Sequence, residues 1–155
     1  MEAKINYLKS WLGTGSINIF GLPMSGKDTV GMKLAELLGA KFLSSGLIIR
    51  QVEAENHKKM TTSGKLIPTD AFYDIVLPYF YREDLSEHGL ILSSVGRWFG
   101  EEDEVMRVAE ESGHQIKATI ILNVSEADVM TRWEAVQVMS DRGKRAELRD
   151  RKSVV

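Results

Sequence analysis

The apolar run Ile17-Asn18-Ile19-Phe20 opens directly into Gly21-Leu22-Pro23-Met24-Ser25-Gly26-Lys27-Asp28-Thr29, and no other passage constrains the fold as much. Gly21 and Gly26 let the backbone turn tightly with successive N–H groups aimed inward, and Lys27 adds a mobile cation to that concave surface. Past Lys27, the residues Val30, Leu34, Leu37 and Leu38 recur at helical spacing as far as Gly39. The passage reads as strand, phosphate cradle and helix. Gly21, Met24, Ser25, Gly26, Lys27, Asp28 and Thr29 then surround a polyphosphate such as that of ATP, and the Thr29 hydroxyl sits near a metal ion. The strict pattern has Ser or Thr directly after the lysine, whereas here Asp28 intervenes. Its carboxylate would repel phosphate, so the simpler expectation is that it turns outward; the alternative is that it helps hold hydrated Mg²⁺.

Helical and extended patterns alternate along the remaining chain. Residues 3–12 place Ile5, Leu8 and Leu12 at helical spacing before Gly13-Thr14-Gly15, an N-terminal extension over 1–14. A brief strand over 40–43 leads into a helix over 46–59, with Leu47, Ile48 and Val52 inward and His57, Lys58 and Lys59 outward. Thr61 to Gly64 breaks the pattern. Pro68-Thr69-Asp70 starts a helix whose face carries Phe72, Ile75, Val76, Tyr79 and Phe80, with Pro78 as a kink. Gly89 to Leu92 reads as a buried strand, 101–112 as an acidic helix, and Ala118 to Val124 as the most strongly β-prone run. Ser125 to Asp128 resembles a capping box opening a helix to about Met139. Strands and helices in alternation imply crossover connections and a parallel sheet, with ligands gathered at the strands' carboxyl ends.

Bulk composition narrows the function. A chain of 155 residues, 43% hydrophobic, has material for one core and not two full ones, so a single domain over 1–155 is expected. No apolar run approaches the roughly 20 residues that span a bilayer, and the start Met1-Glu2-Ala3-Lys4 lacks the charged-then-apolar pattern expected of a signal peptide. A cytoplasmic protein without membrane partners is the expectation. The absence of cysteine removes thiolate catalysis and Cys-ligated zinc, and a net charge of −2 gives no basic field for nucleic acid. His57, His88 and His114 have no metal-ligand spacing and read as surface residues. Trp98 and Phe99 could stack on a base, but beside a strand end they read more simply as core. The basic tail from Arg142 to Lys152, interleaved with Glu147 and Asp150, reads as a solvated helix.

The loop Gly-x-Pro-x-Ser-Gly-Lys-x-Thr, with one residue between lysine and threonine, resembles the adenylate kinase type of nucleoside monophosphate kinase. Four further segments are similar to that family in order and spacing. Leu43 to Arg50 resembles the segment holding the acceptor monophosphate, which implies acceptor roles for Ser45, Gly46 and Arg50. Gly64-Lys65-Leu66-Ile67-Pro68-Thr69-Asp70 resembles the run against the acceptor base, with Ile67 in it. Gly89 to Arg97 takes the place of the strand ending in Asp-Gly-Phe-Pro-Arg, which puts Ser94 beside the base and Arg97 on the acceptor phosphate. Ile120 to Arg132 looks like the next strand and helix. Arg132 then stands as a donor-side arginine, and Arg145 in a run similar to Arg-x-Asp-Asp.

The resemblance covers about residues 16–150. It implies a P-loop NTPase-type three-layer α/β fold with a central parallel sheet, a small helical acceptor-binding insertion over 44–80 and a short lid over 132–150. It also implies a monomeric phosphotransferase that uses ATP with Mg²⁺ and a nucleoside monophosphate. Lys27, Arg97, Arg132 and Arg145 are then the catalytic cations and Thr29 the protein's metal ligand, although any one of these arginines taken alone is an ordinary surface charge.

Several positions depart from the family. Ser93 stands where an aspartate would orient the magnesium shell, and Glu101 where a base-reading glutamine would be; a carboxylate cannot donate to adenine as an amide does. These departures admit two other readings, a catalytically impaired nucleotide-binding protein and a P-loop kinase for a non-nucleotide acceptor. The sequence also reaches Val155 before the family's last strand and helix would be expected, so either the chain continues or those parts are lacking.

Overall fold

The computed structural model describes residues 1–57 and 67–138. Two compact units divide the chain: one takes Met1–Phe20 and Lys27–Ile121, the other Gly21–Gly26 and the residues from Leu122 onward. The elements in order are α1 (Glu2–Leu12), β1 (Ser16–Gly21), α2 (Lys27–Leu38), β2 (Lys41–Ser44), α3 (Ser45–Asn56), α4 (Thr69–Ile75), β3 (Leu90–Ser93), α5 (Glu101–Glu111) and β4 (Ile116–Leu122). Two 3-10 turns, Leu77–Tyr81 and Glu83–Leu85, lie between α4 and β3, and a further helix, α6, covers 126–138.

The four strands lie in the order β2-β3-β1-β4. Every residue of β3 is buried, as a continuous apolar strand covered on both faces must be, and it pairs in parallel with β1 and β2. Ile19 and Ser44 both register with Ser93, so β2 and β3 end level while β1 runs two residues further, to Gly21. β4, by contrast, alternates half-buried and exposed residues, and Ile121 is 74% exposed. It starts two residues earlier than its β-branched composition suggests, and Asn123 and Val124 lie beyond it. No helix among the described residues is long and apolar enough to cross a membrane.

The helices bury different faces from those their large apolar residues suggest. α2 buries Gly31, Ala35 and Leu38, while Val30 and Leu37 are exposed. The cause is close approach: a Cβ built on Gly31 would lie 2.5 Å from Cε2 of Phe42, so Gly31 faces β2. Gly31→Ala is expected to cost about 1–3 kcal/mol by overpacking, read as a lower midpoint in urea with an unchanged slope. In α3, Ile48 and Ile49 are buried and Leu47 points outward; in α1 only Leu12 is buried, packed against Gly89. The apolar face after Pro68 breaks at Val76 into the 3-10 turn that holds Pro78, with Phe72, Val76, Leu77 and Phe80 in the core.

His114 is fully buried, not on the surface. Its Nδ1 lies 2.7 Å from the Thr14 carbonyl, which only accepts, so Nδ1 carries the proton, while Nε2 has no partner among the described residues. A short turn after α5 draws it inward, where it ties that turn to the one preceding β1.

Candidate functional site

Within the first unit, charged and hydroxyl side chains gather where β1, β3 and β2 end. Ser93, the last residue of β3, donates its hydroxyl to Oδ1 of Asp28 in the first turn of α2. Asp28 therefore turns toward the strand ends rather than outward. The helix N-terminus favours a carboxylate there, and the buried Ser93 hydroxyl supplies the polar contact that makes the inward position cheap. The sequence signal for this pair was the double departure itself: an acid gained at 28 and an acid lost at 93.

The cations at this edge disturb one another. Burial lowers the pKa of Lys27, and the Arg97 charge lowers it further, against an opposing pull from Asp28. Arg97 is likewise lowered by partial loss of hydration; Asp28 opposes, Arg50 adds repulsion, and Glu101 opposes. Lys27, Arg50 and Arg97 thus share one electrostatic neighbourhood with two carboxylates, one of which is already committed to backbone donors. An anion arriving there would relieve the repulsion, as in a site built to receive phosphate.

The segment leaving β3 is held from three sides. Ser94, in the left-handed region at φ 53°, donates its N–H to Ile19 O at 2.9 Å, and its carbonyl accepts the Ser45 hydroxyl at 2.8 Å. Asn18 Nδ2 donates to Val95 O at 2.8 Å. Ser45 and Ser94 are accordingly buried and bonded to each other. Arg50 is exposed, with its guanidinium folded toward Gly46; a Cβ there would lie 3.5 Å from Nη1. Ile67 is in the core cluster beside Phe72. Trp98 and Phe99 are not core residues: they are 51% and 102% exposed, on the turn after Arg97.

Glu101 is only 2% exposed and does not present a free carboxylate. Oε2 accepts from the backbone N–H of Arg97 at 2.9 Å and of Trp98 at 3.2 Å, and Oε1 accepts from Thr69 Oγ1 at 2.9 Å. A base-reading role at this position conflicts with that engagement, because three donors already occupy the group. Thr69 escaped the sequence reading; its only signal was a hydroxyl residue directly after Pro68 at a helix start.

In the second unit the loop Gly21–Gly26 curls on itself. Ser25 N–H donates to Leu22 O at 3.0 Å, Met24 has φ 67° and Gly26 φ 90°. A Cβ on Gly21 would lie 2.5 Å from the Ser25 hydroxyl, so only glycine permits this curl. The Ser25 hydroxyl is buried without a partner among the described residues, a donor suited to a phosphate oxygen. Arg132, on α6, donates Nη1 to Met24 O at 3.1 Å. Ser125 caps α6 by accepting from Asp128 N–H at 3.2 Å. Arg145, Lys58, Lys59, the run 61–66 and the basic tail lie outside the described residues.

Among the described residues no cluster of three His, Cys, Asp or Glu could hold a metal by itself. The hard oxygen donors Asp28 and exposed Thr29, in the first turn of α2, suit Mg²⁺ when most of its ligands come from nucleotide and water.

A strand, a glycine turn with an orphaned hydroxyl and a helix beginning at lysine, set in a sheet of order β2-β3-β1-β4, define a P-loop α/β protein. The family model AAA_17, described as an AAA domain, matches residues 20–151, and the chain belongs to that family. It is 29% identical over 124 residues to an adenylate kinase of Bacteroides fragilis, covering 76% of this chain and 65% of that protein. To an adenylate kinase of Thermus thermophilus it is 28% identical over 128 residues, covering 78% of this chain and 66% of the other. The chain thus spans just under two thirds of the length of these curated relatives. The crystal structure of APE1195 aligns with a TM-score of 0.55 at 20% identity, over 86% of this chain and 74% of that one, a likeness of fold.

Proposed function

We propose that the protein transfers the γ-phosphoryl group of ATP to a nucleoside monophosphate. The observation that carries this reading is the gathering of Lys27, Arg50 and Arg97 at the carboxyl edge of the sheet, where burial first and a neighbouring cation second lower the pKa values of Lys27 and Arg97. The orphaned Ser25 hydroxyl supports the donor half, and similarity to adenylate kinases supports the acceptor.

Transfer of this kind asks for positioning and charge more than covalent chemistry. Loop N–H groups of 21–26 and the Lys27 ammonium hold the donor phosphates. The guanidinium forks of Arg50 and Arg97 hold the acceptor phosphate, whose oxygen attacks the γ-phosphorus as the bond to the β-phosphate oxygen breaks and ADP leaves with the electron pair. Mg²⁺ bound with ATP, near Thr29 and Asp28, would neutralise charge on the donor oxygens. Arg132 and Arg145 are proposed to serve the transferring group.

A coupled assay of ADP release, with ATP and Mg²⁺ against AMP, CMP, UMP, GMP and dTMP, tests the proposal. Release that depends on one of these acceptors is expected. ATP binding without acceptor-dependent release would favour the impaired nucleotide-binding reading, and release with a polyol or sugar acid alone would favour a non-nucleotide acceptor.

A further inference from the structure

The Glu101 carboxylate joins two segments that are distant in sequence and hold different parts of the acceptor half. We infer that Glu101 is a positioning residue for Arg97, acting through the backbone, and that Thr69 ties the start of α4 to the same strut. This deepens the proposed function and rests on it.

Arg97 follows Gly96, in the left-handed region at φ 90°, and precedes a half-exposed Trp98 and a fully exposed Phe99, neither of them in the core. What fixes the backbone is one buried group. Glu101 Oε2 accepts from the N–H groups of both Arg97 and Trp98, and Glu101 N–H donates to Trp98 O at 3.1 Å, closing the turn. Gly100 N–H is taken by Glu102 Oε2 at 2.8 Å, so the turn is pinned again at its far end. A long arginine aimed at a phosphate loses rotamer freedom on binding, and a fixed Cα limits what must be lost.

The second oxygen reaches 32 residues back to Thr69, the first residue of α4. The resemblance assigned the run ending at Asp70 to the acceptor base and Arg97 to its phosphate. One carboxylate therefore links the two stretches of chain assigned to the two ends of that ligand. Thr69 donates to Glu101, yet a hydroxyl can also accept. Glutamine at 101 could keep the same connections, its oxygen taking the backbone donors and its amide N–H donating to Thr69. Alanine could keep none of them. This asymmetry separates positioning from base reading, since a base reader changed to glutamine would change which base it prefers.

The test uses Glu101→Ala, Glu101→Gln and Thr69→Val in the full chain. Binding of the five monophosphates is followed by calorimetry and acceptor kinetics by the coupled assay, with ATP Kd and melting temperature measured alongside. The expected result is an acceptor Kd and KM raised about tenfold or more in Glu101→Ala, by about the worth of one to two hydrogen bonds, with ATP Kd within about twofold. Glu101→Gln should restore the acceptor constants to within about threefold with unchanged base preference, and Thr69→Val should fall between. Normal acceptor constants in Glu101→Ala, with the native protein binding monophosphate, overturn the inference and leave the proposed function standing. A switch of base preference in Glu101→Gln, or equal loss of both substrates in Thr69→Val, also overturns it. A native protein that binds none of the five overturns both.

Discussion

Lys27→Ala is expected to raise the Kd for ATP by about one to two orders of magnitude, the worth of a charged hydrogen bond to phosphate, without making the empty protein less stable. The second half follows from the sign of the Lys27 shift. Its pKa is lowered in the folded chain, first by burial and then by Arg97, from the usual 10.5. Folding therefore disfavours the ammonium; that penalty is fully present below the folded pKa and disappears as pH rises through it toward the unfolded value. At neutral pH the alanine variant is spared the penalty, so its melting temperature in the absence of nucleotide should match or exceed that of the native protein. A bound phosphate reverses the shift. ATP binding should accordingly take up protons and weaken as pH rises through the Lys27 pKa. Calorimetry in two buffers of different ionisation heat, with melting curves lacking nucleotide, checks each part. An unchanged Kd, or a clear loss of melting temperature, would remove Lys27 from the donor site.

The other large effect is expected at Arg97. Arg97→Ala should lower kcat/KM for the acceptor by about 10²–10³, the scale for losing a preorganised charge donor, while ATP Kd stays near its native value. Arg97→Lys should recover little, because a single ammonium cannot reproduce the planar two-point grip on phosphate. The split matters more than the size. Arg97 depresses Lys27, so its removal eases the donor cation, and a variant that weakened ATP as much as acceptor would contradict the division between Lys27 on the donor and Arg97 on the acceptor.

The strand, turn and helix at 16–38 were legible in the sequence because the constraints there are local. A glycine turn entered from an apolar run and left through a helix is specified by neighbours in the chain. The all-buried β3 was legible for the same reason. Burial faces were harder to read: the side of α2 that packs is set by Phe42 on β2, a partner distant in the chain, and close packing selects Gly31 and Ala35 over Val30 and Leu37. His114 was misread because its polar neighbours in sequence are not its neighbours in space. Trp98 and Phe99 were misread the opposite way, since their turn is fixed by carboxylates and needs no apolar burial.

In the site, residue types were legible and their partners were not. Lys27, Arg50 and Arg97, each legible in its own motif segment, lie in one electrostatic neighbourhood. Asp28 and Ser93 were noticed separately as departures, and only folding makes them one hydrogen-bonded pair across 65 residues. The resemblance puts Glu101 where a base-reading glutamine would stand, in an acid-rich first turn of a helix, and nothing in that pattern signals a buried carboxylate. Its burial depends on two backbone donors and Thr69, none of which has a one-dimensional signature.

The most direct measurement is the phosphorus NMR spectrum of the products formed from ATP, Mg²⁺ and the preferred monophosphate. The account predicts signals of ADP and of the acceptor's diphosphate in equal amounts, with no inorganic phosphate accompanying them. ADP with inorganic phosphate alone, or an unchanged ATP spectrum at protein concentrations where ATP is bound, would contradict it.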